Sequence, residues 1–460
     1  MLKNYSSLAL IFFLFVNIII SQTTYVPDNN FEQALIDLGY DDVLDDYVLT
    51  ANISEVILLN LDSKNINDLT GIEDFLNLEE LDCRSNQLTY LDVTQNTALE
   101  ILSCLYNQLT SLDVTQNTAL ISLYFNSNQL TSLDVSQNTS LIKLGCRSNQ
   151  LSSLDISNNT VLTDLYCDNN QLSSLDLTQN VALKVLFCYN NQLTNLDVTQ
   201  NTALFYFSCN DNQLTNLNVT QNTILTNLLF SNNQISSINL TQNTILTDLH
   251  CYSNQLSSIN LAQNTALSYL QCYSNQLTSI DITQNTALTF LNLNNNQLSS
   301  LDVSNNIALT DLYCIGNQLT SLNVKNGNNS LITTFNSTIN TSLTCIDVDN
   351  EIDANAGTGS YSAWSKDATA TYSEDCAALG LNDKILAQSI TLYPNPVSNF
   401  LTIDSSISIS KVEVYSLLGQ KVKEINSGFN SIPMGNLSKG MYIVRVQSEN
   451  GFATKKLIKQ

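Results

Sequence analysis

Residues 99–119 read LEILSCLYNQLTSLDVTQNTA, and residues 246–266 (LTDLHCYSNQLSSINLAQNTA) repeat the same order of apolar, asparagine and threonine positions. The period is 21 residues, and about twelve copies follow one another from Leu78 to near Asn329. A fixed period of this length is typical of a solenoid, in which each repeat forms one coil and packs only against its neighbours. The repeat therefore decides the fold.

Each copy carries the pattern L-x-x-L-x-C-x-x-N, which is the signature of leucine-rich repeats. Apolar residues alternate twice in each coil, first in Leu81-x-Cys83 and then in Leu91-x-Val93, so both halves are predicted to be short strands. Stacked coils would place these strands in two parallel sheets on opposite flanks. Asn recurs at the turn positions from Asn86 onward, where its side chain is expected to bind backbone groups. The sequence predicts a mostly β leucine-rich-repeat solenoid built from short parallel strands.

The two ends of the chain differ from the repeats. Lys3 and the largely apolar run at 8–20 are typical of a signal peptide, and the run is shorter than a membrane-spanning helix. A short amphipathic helix is predicted after Pro27, with Asp28 or Asn29 as its N-cap. The predicted divisions are a signal peptide at 1–22, an N-terminal cap with a first irregular repeat at 23–76, the repeats at 77–329, a C-terminal cap at 330–376, a linker at 377–387 and a separate domain of strands at 388–460.

Nine of the eleven cysteines share one position of the repeat. These are Cys83, Cys104, Cys146, Cys167, Cys188, Cys209, Cys251, Cys272 and Cys314. Other coils have Phe125, Phe230 or Leu293 there, so the position needs apolar volume, which a buried Cys supplies. Disulfides between neighbouring coils are the alternative, although parallel strands hold the Cβ atoms wider than a relaxed bridge prefers. Cys345 and Cys376 lie outside the array of an exported chain, and we predict a disulfide between them.

The charge of the chain is strongly acidic, with a net value of −24. From Asp383 onward there are nine Lys/Arg and five Asp/Glu, which leaves eight basic and 36 acidic residues for the rest. Such a surface repels phosphate backbones and has no basic stripe, so no nucleic-acid partner is predicted.

The outward positions of the Cys-bearing strands are the variable part of the repeat. Their aromatic residues and the single histidine are Tyr124, Tyr166, Phe187, Tyr189, Tyr206, His250, Tyr252, Tyr269, Tyr273, Phe290 and Tyr313. Two interpretations fit this strip. Exposed aromatic side chains can stack on sugar rings or anchor a partner chain. Alternatively, aromatic residues favour strands and pack against one another across coils. A ligand-binding face, if the array has one, is predicted here.

The opposite flank carries a monotonous ladder of Asp92, Asp113, Asp134, Asp155, Asp176 and Asp197, followed by Asn218, Asn239 and Asn260, and then Asp281 and Asp302. Carboxylates stacked about 5 Å apart repel one another, so some are expected to bind cations or to have raised pKa values. Calcium bridging and a solvated ladder are both open. The segment from Asp347 to Asp353 also hints at a calcium loop, but Ile352 stands where an EF-hand needs Gly. We predict neither a metal site nor a cofactor.

Catalysis has little support in the sequence. The one histidine, His250, has no identifiable Ser or Cys nucleophile around it, and repeated Asp residues on a regular face form no specific acid–base pair. We predict that the protein is not an enzyme.

Two family resemblances extend these predictions. Units such as Leu-Thr-Ser-Leu-Asp-Val-Thr-Gln-Asn at 109–117 resemble the internalin-like leucine-rich-repeat surface proteins of Bacteroidota, over roughly residues 24–376. The tail resembles the type A C-terminal sorting domain of the type IX secretion system. It does so through Leu-Tyr-Pro-Asn-Pro at 392–396, Leu-Ser-Lys-Gly-Met-Tyr-Ile-Val at 437–444 and Ala-Thr-Lys-Lys-Leu-Ile-Lys at 453–459.

The second resemblance implies a small antiparallel β-sandwich that the outer-membrane export machinery reads and a sortase-like peptidase removes. Release and attachment to the surface are both open. The sorting-motif residues that it implies are Pro394, Asn395, Pro396, Gly440 and Tyr442. We therefore predict a secreted or cell-surface protein that binds a protein or glycan through its repeats, in adhesion or substrate capture. The alternatives are a structural spacer without a specific ligand and a polysaccharide-binding accessory protein.

Overall fold

The computed structural model describes residues 22–376, 389–405, 407–416, 420–448 and 451–460. The chain forms two compact units, which divide between Leu277 and Thr278. The predicted signal peptide at 1–22, apart from Gln22, and the predicted linker at 377–387 lie outside the described residues. Of the helices in the described ranges, none has the length and apolar character needed to cross a membrane.

The first unit opens with a small cap. Its elements are β1 (Thr23–Tyr25), α1 (Asn29–Leu38), β2 (Tyr47–Leu49) and α2 (Thr50–Ile53). Helix α1 starts where Asp28 caps it, because Asp28 Oδ1 accepts the backbone N–H groups of Asn30 at 2.8 Å and Phe31 at 3.1 Å. The helix ends at Gly39, because its φ of +82° is left-handed and incompatible with a further helical turn. The other Asp28 oxygen accepts the Asn67 N–H at 2.7 Å and thereby joins the cap to the first coil.

Eleven short parallel strands follow in the first unit, one per coil. They are β3 (Leu58–Asn60), β4 (Glu80–Asp82), β5 (Ile101–Ser103), β6 (Ser122–Tyr124), β7 (Lys143–Gly145), β8 (Asp164–Tyr166), β9 (Val185–Phe187), β10 (Tyr206–Ser208), β11 (Asn227–Leu229), β12 (Asp248–His250) and β13 (Tyr269–Gln271). Equivalent residues pair directly, as Leu123 does with Leu144, so the 21-residue period sets the register. The middle residue of each strand is buried.

The turn after each strand depends on one residue with a left-handed backbone. Ser148 has a φ of +53°, and equivalent Ser, Asn, Asp or Tyr residues adopt similar values in the other coils. The next residue is the buried Asn of the repeat. Asn149 Nδ2 donates to the carbonyls of Phe125 at 3.1 Å and Cys146 at 3.2 Å, and its Oδ1 accepts the Leu130 N–H at 3.0 Å. This confirms the predicted role of Asn in binding backbone groups of the turns.

The second unit contains further coils and the C-terminal cap. Its elements are β14 (Phe290–Asn292), β15 (Ser300–Asp302), β16 (Asp311–Tyr313), β17 (Ser321–Asn323), β18 (Thr334–Asn336), β19 (Cys345–Asp347), α3 (Glu351–Ala356) and β20 (Thr371–Ser373). Strands β15, β17, β19 and β20 form a parallel sheet on the second flank.

Within the described residues of the first unit the second flank forms no strand, and one isolated bridge joins Asp92 to Asp113. The prediction of strands on both flanks was therefore wrong for the first unit. The tripeptide Ser-Leu-Asp occurs in both settings, so local propensity does not decide between them.

Aromatic packing and a disulfide hold the end of the repeats. Trp364 packs on Phe335 with ring centroids 4.4 Å apart, and its Nε1 donates to the Ile332 carbonyl at 3.0 Å. Cys345 in β19 is joined to Cys376 by a disulfide, with the Cα atoms 5.7 Å apart. These contacts cover the apolar cross-section that a solenoid would otherwise expose at its last coil.

The C-terminal domain is an antiparallel β-sandwich. Its strands are β21 (Ile390–Tyr393), β22 (Phe400–Ser405), β23 (Ile409–Ser416), β24 (Lys421–Ile425), β25 (Ile432–Pro433), β26 (Gly440–Ser448) and β27 (Gly451–Lys459). One sheet has the order β21-β22-β25 and the other β24-β23-β26-β27. Both sheets bury side chains in one core, which includes Leu401, Val412, Val444 and Leu457. The predicted fold class, a leucine-rich-repeat solenoid with a small helical N-terminal cap and a C-terminal antiparallel β-sandwich, is confirmed.

Candidate binding face

The outward side chains of the repeat strands, together with the residue that follows each buried Cys position, form one continuous surface in each unit. In β8, for example, Asp164 and Tyr166 are partly exposed whereas Leu165 is buried. We call the eleven predicted residues on this surface the aromatic face, and all eleven are half-buried. Eight of them lie on strands, and Tyr189, Tyr252 and Tyr273 directly follow a buried Cys.

Four residues of the first unit, Tyr166, Phe187, Tyr189 and Tyr206, form a first cluster. Phe187 lies at its centre, with ring centroids 5.5 Å from Tyr166 and 4.9 Å from Tyr206. The Tyr189 ring meets Phe187 edge-on at 6.3 Å. The contacts of Phe187 with Tyr166 and Tyr206 join neighbouring coils, because β8, β9 and β10 are adjacent strands.

An ion pair that the sequence did not reveal supports this first cluster. The Arg147 guanidinium lies 4.4 Å from the Tyr166 ring centroid and 4.9 Å from that of Phe187. Its Nε is 2.9 Å from Asp168 Oδ1, and the Asp168 side chain is almost fully buried. Burial raises the pKa of Asp168, which Arg147 opposes. Arg147 and Asp168 occupy the same repeat position one coil apart, and this spacing is the feature of the sequence that could have predicted the ion pair.

A second cluster comprises His250, Tyr252, Tyr269 and Tyr273. The Tyr252 and Tyr273 rings are nearly parallel, at 6°, with centroids 4.3 Å apart. His250 stacks on Tyr269 at 5.3 Å, and its Nε2 is 2.9 Å from Asp248 Oδ1. The first cluster ends at Tyr206 in β10 and the second begins at His250 in β12, two coils further along, which corresponds to about 10 Å. The last residues of β10 and β11, Ser208 and Leu229, carry no ring.

The remaining members of the aromatic face are Tyr124, Phe290 and Tyr313. Tyr124 leans over Gly145, where an added Cβ would come within 2.7 Å of the Tyr124 ring. In the second unit, Phe290 and Tyr313 pair with centroids 5.7 Å apart. Within the first unit the aromatic face is therefore grouped into ring clusters rather than an even strip.

Stacking across coils determines which parts of the rings stay accessible. Rings that stack along the succession of strands, as Tyr252 and Tyr273 do, each cover one broad face of the other, which leaves their edges as the larger part of what a partner can reach. Burial raises the pKa of Tyr166, Tyr189, Tyr206 and Tyr273, so each phenol stays protonated and able to donate at neutral pH. The aromatic face thus offers ring edges and hydroxyl groups.

The opposite flank, which we call the Asp flank, is organised by turns. Asp92 Oδ1 accepts both the backbone N–H of Thr94 at 2.9 Å and its hydroxyl at 2.7 Å. Such hydrogen bonds lower the pKa of Asp92, Asp134, Asp155, Asp176, Asp197 and Asp281. The expectation that some of these carboxylates have raised pKa values was wrong for these six, because hydrogen bonding to the charged form outweighs repulsion along the ladder.

The acidic segment at 347–353 has separate structural contacts. Asp347 Oδ1 accepts the Cys376 N–H at 2.7 Å, whereas Asp349 accepts the N–H groups of Gly327 at 2.9 Å and Asn329 at 2.8 Å. Across the described ranges, no group of three or more His, Cys, Asp or Glu residues is arranged to hold a metal ion.

The repeat cysteines are buried thiols. The described structure has all nine fully buried and none in a disulfide, and Phe125, Phe230 and Leu293 are buried at the same position. Burial raises the pKa of Cys104 and of Cys314 to about 12, so these groups stay protonated.

The predicted sorting-motif residues lie in two parts of the β-sandwich, the segment after β21 and the start of the inner strand β26. Asn395 Nδ2 donates to the Lys456 carbonyl at 2.8 Å, and its Oδ1 accepts the Ile458 N–H at 2.9 Å. The peptide bonds before Pro394 and Pro396 are cis. Gly440 begins β26, and the buried Tyr442 donates its hydroxyl to the Ser438 carbonyl at 2.9 Å.

The fold and these surfaces define a leucine-rich-repeat protein. Comparison with known proteins indicates where it is exported. Residues 391–460 match the secretion system C-terminal sorting domain. The predicted resemblance of the tail is thereby confirmed. The protein is exported by the type IX secretion system, to the cell surface or the medium.

The array is similar to internalins of known structure. The functional domain of InlJ from Listeria monocytogenes, described as including a cysteine ladder, is 26% identical, with a TM-score of 0.62 over 96% of this chain and 99% of that chain. An internalin, InlF, from the same species is 24% identical, with a TM-score of 0.61 over 71% of this chain and 96% of that one. A leucine-rich-repeat protein of Leptospira interrogans is 23% identical, with a TM-score of 0.50 over 65% and 91%. The last two show the fold alone. No curated protein sequence matches the chain.

Proposed function

We propose that this exported protein binds another extracellular protein through its aromatic face, in adhesion or substrate capture. The observation that carries the proposal is the stacking of partly exposed rings on this face, best seen in the Tyr252–Tyr273 pair. Interfaces between proteins are rich in Tyr, Phe and Arg at their centres, where ring edges and hydroxyl groups fit into pockets of the partner. No catalytic role is proposed.

The same geometry counts against a sugar-stacking platform. Stacking on a sugar ring requires an accessible broad face of the aromatic ring. In the first cluster Phe187 lies between Tyr166 and Tyr206, and the Arg147 guanidinium lies over two of these rings. In the second cluster Tyr252 and Tyr273 each cover one broad face of the other. A polysaccharide-binding accessory role is therefore the less favoured alternative.

Charge on the aromatic face is largely paired within the protein. Arg147 pairs with Asp168, and Asp248 contacts both His250 Nε2 and the Asn227 amide at 3.2 Å. Desolvation of these groups by a partner costs less than desolvation of unpaired charges. The chain as a whole has a net charge of −24, which slows the approach of acidic partners. We therefore propose a neutral or basic protein surface as the ligand.

We also propose that the predicted segments of the chain have separate roles in export to the surface. Export would remove the signal peptide at 1–22, and the sorting domain at 388–460 would engage the export machinery before a sortase-like peptidase removes it. The cap at 23–76, the repeats at 77–329 and the cap at 330–376 would then remain as the binding part.

The test probes arrays of extracellular proteins and glycans with the full exported chain. A variant with Tyr252→Ala and Tyr273→Ala, and a second with Tyr166→Ala and Tyr206→Ala, are compared with the native chain. Because truncated hot-spot residues typically cost 2 kcal/mol or more, we expect a loss of affinity of about 30-fold for the protein ligand. The matched control is Asp134→Asn with Asp155→Asn on the Asp flank, which should bind like the native chain.

Two outcomes would contradict the proposal. Selective loss of glycan binding in the aromatic variants, without any protein ligand, would favour the accessory role. Unchanged binding to every protein and glycan in all variants would favour a structural spacer.

A further inference from the structure

The sorting domain carries two exposed aromatic side chains that its own core does not use. Strand β21 pairs with β22, and Tyr393 is opposite Thr402. Ile390, Leu401 and Ile403 are buried in the core of the sandwich, whereas Tyr393 and Phe400 are 49% and 58% exposed.

Their register places the two rings beside each other. Phe400 lies two residues before Thr402, so it shares the outer face of β22 with Thr402 and is the diagonal neighbour of Tyr393. Pro433 in β25 is opposite Phe400 and extends this face. We call Tyr393 and Phe400 the outer aromatic patch.

The rest of the motif around Tyr393 has an internal structural role. Asn395 makes two hydrogen bonds to the backbone of β27, and the buried Val397 donates its N–H to the Ile458 carbonyl at 2.7 Å. The segment at 395–397 thereby covers the end of an edge strand that would otherwise present free backbone groups. The outer aromatic patch takes no part in these bonds.

Strands β23 and β24 of the other sheet carry paired charges on their outer face. There Lys411 Nζ is 2.9 Å from Glu413, and Lys421 Nζ is 3.2 Å from the same carboxylate. Paired surface charges of this kind contribute little to association. Large aromatic side chains, in contrast, bury about 150–250 Å² each when fully covered, and roughly half of that area is still exposed on Tyr393 and Phe400.

We propose that the outer aromatic patch is the surface by which the sorting domain docks on a protein of the outer-membrane export machinery. The occupant follows from the family match, because residues 391–460 include both rings and the domain serves secretion. An uncharged aromatic surface fits a protein partner with an apolar pocket. This inference concerns export and is independent of the ligand of the aromatic face.

Site-specific photo-crosslinking in the full chain tests the docking directly. A benzophenone amino acid replaces Tyr393 or Phe400 in a bacterium that carries this secretion system, and replaces Met441, 36% exposed on the other sheet, as the control. We expect crosslinks from positions 393 and 400, but not 441, to an outer-membrane export protein identified by mass spectrometry. Crosslinks only to a second copy of the chain or to lipid, or only from position 441, would overturn the proposal.

A substitution experiment gives an independent readout. The double variant Tyr393→Ser with Phe400→Ser should lower the exported fraction about tenfold while the purified chain keeps its melting profile, since neither side chain lies in the core. Met441→Ser with Ile458→Ser is the matched control, and both of its side chains are exposed on the other sheet. Export of the double variant at the native level, or equal retention of the control, would overturn the docking surface.

Discussion

At the scale of single residues, the repeat is held together by polar side chains that act on the backbone. Each coil needs a left-handed residue in its turn and a buried Asn after it, and Ser148 with Asn149 shows both. Asn149 binds main-chain groups of its own and the neighbouring coil, so its contribution is to the spacing of coils rather than to a ligand. This explains why the sequence has an Asn-rich repeat with few glycines.

The left-handed turn gives a prediction for Ser148. Ser148→Val should lower the free energy of unfolding by about 1–2 kcal/mol, because a β-branched side chain is strained at a φ of +53°. Ser148→Gly is the control, since Gly adopts this conformation without steric cost. Urea unfolding of both variants is the measurement, and equal stabilities for Val and Gly would contradict the account.

At the scale of elements, the caps and the Asp flank are organised by hydrogen bonds from side chains to backbone. Asp28 joins helix α1 to the first coil, because its two oxygens accept from both segments. On the Asp flank, Asn218 makes the same turn as the aspartates, accepting the Thr220 N–H at 3.1 Å and its hydroxyl at 2.8 Å. The turn therefore needs a side-chain oxygen at this position rather than a charge.

The cap gives a second prediction. Asp28→Ala should destabilise the first unit by about 1–2 kcal/mol, because the N–H groups of Asn30 and Phe31 lose their acceptor. Asp28→Asn retains one carbonyl oxygen and should lose less. Hydrogen exchange of α1 amides measures the effect. Equal protection in the Ala variant and the native chain would show that the cap does not hold the helix.

The Asp flank gives a prediction of pH dependence. Hydrogen bonds keep the pKa values of Asp134, Asp155 and Asp176 in the folded chain below the ordinary value of 3.8. As the pH falls, these carboxylates therefore take up protons in the unfolded chain before they do so in the folded chain. Stability should be level from pH 7 to about 5 and should fall below about pH 4. Thermal melts between pH 7 and pH 3 measure this.

Asn at these three positions serves as the control. The triple Asp→Asn variant should melt like the native chain at pH 7, lose less stability in acid, and remain indifferent to calcium, as should the native chain. A rise in the native melting temperature on addition of calcium would show that the ladder binds cations after all.

At the scale of the whole molecule, the period of 21 residues was sufficient to predict the solenoid and the residues of the aromatic face, because equivalent positions must stack. It could not predict that rings pair into clusters, since the Tyr166–Phe187 and Tyr252–Tyr273 contacts depend on the rotamers of adjacent coils. Nor could it predict the missing strands on the second flank of the first unit, where the same tripeptide occurs with and without strand pairing.

The measurement that tests the central claim most directly is tyrosine nitration of the full chain with and without its bound protein ligand. Mass spectrometry reports each tyrosine separately, and the exposed Tyr90 and Tyr106 outside the aromatic face serve as internal controls. The account predicts that the ligand protects Tyr166, Tyr252 and Tyr273 and leaves the two controls unchanged. Binding that leaves the tyrosines of the aromatic face as reactive as in the free protein would contradict it.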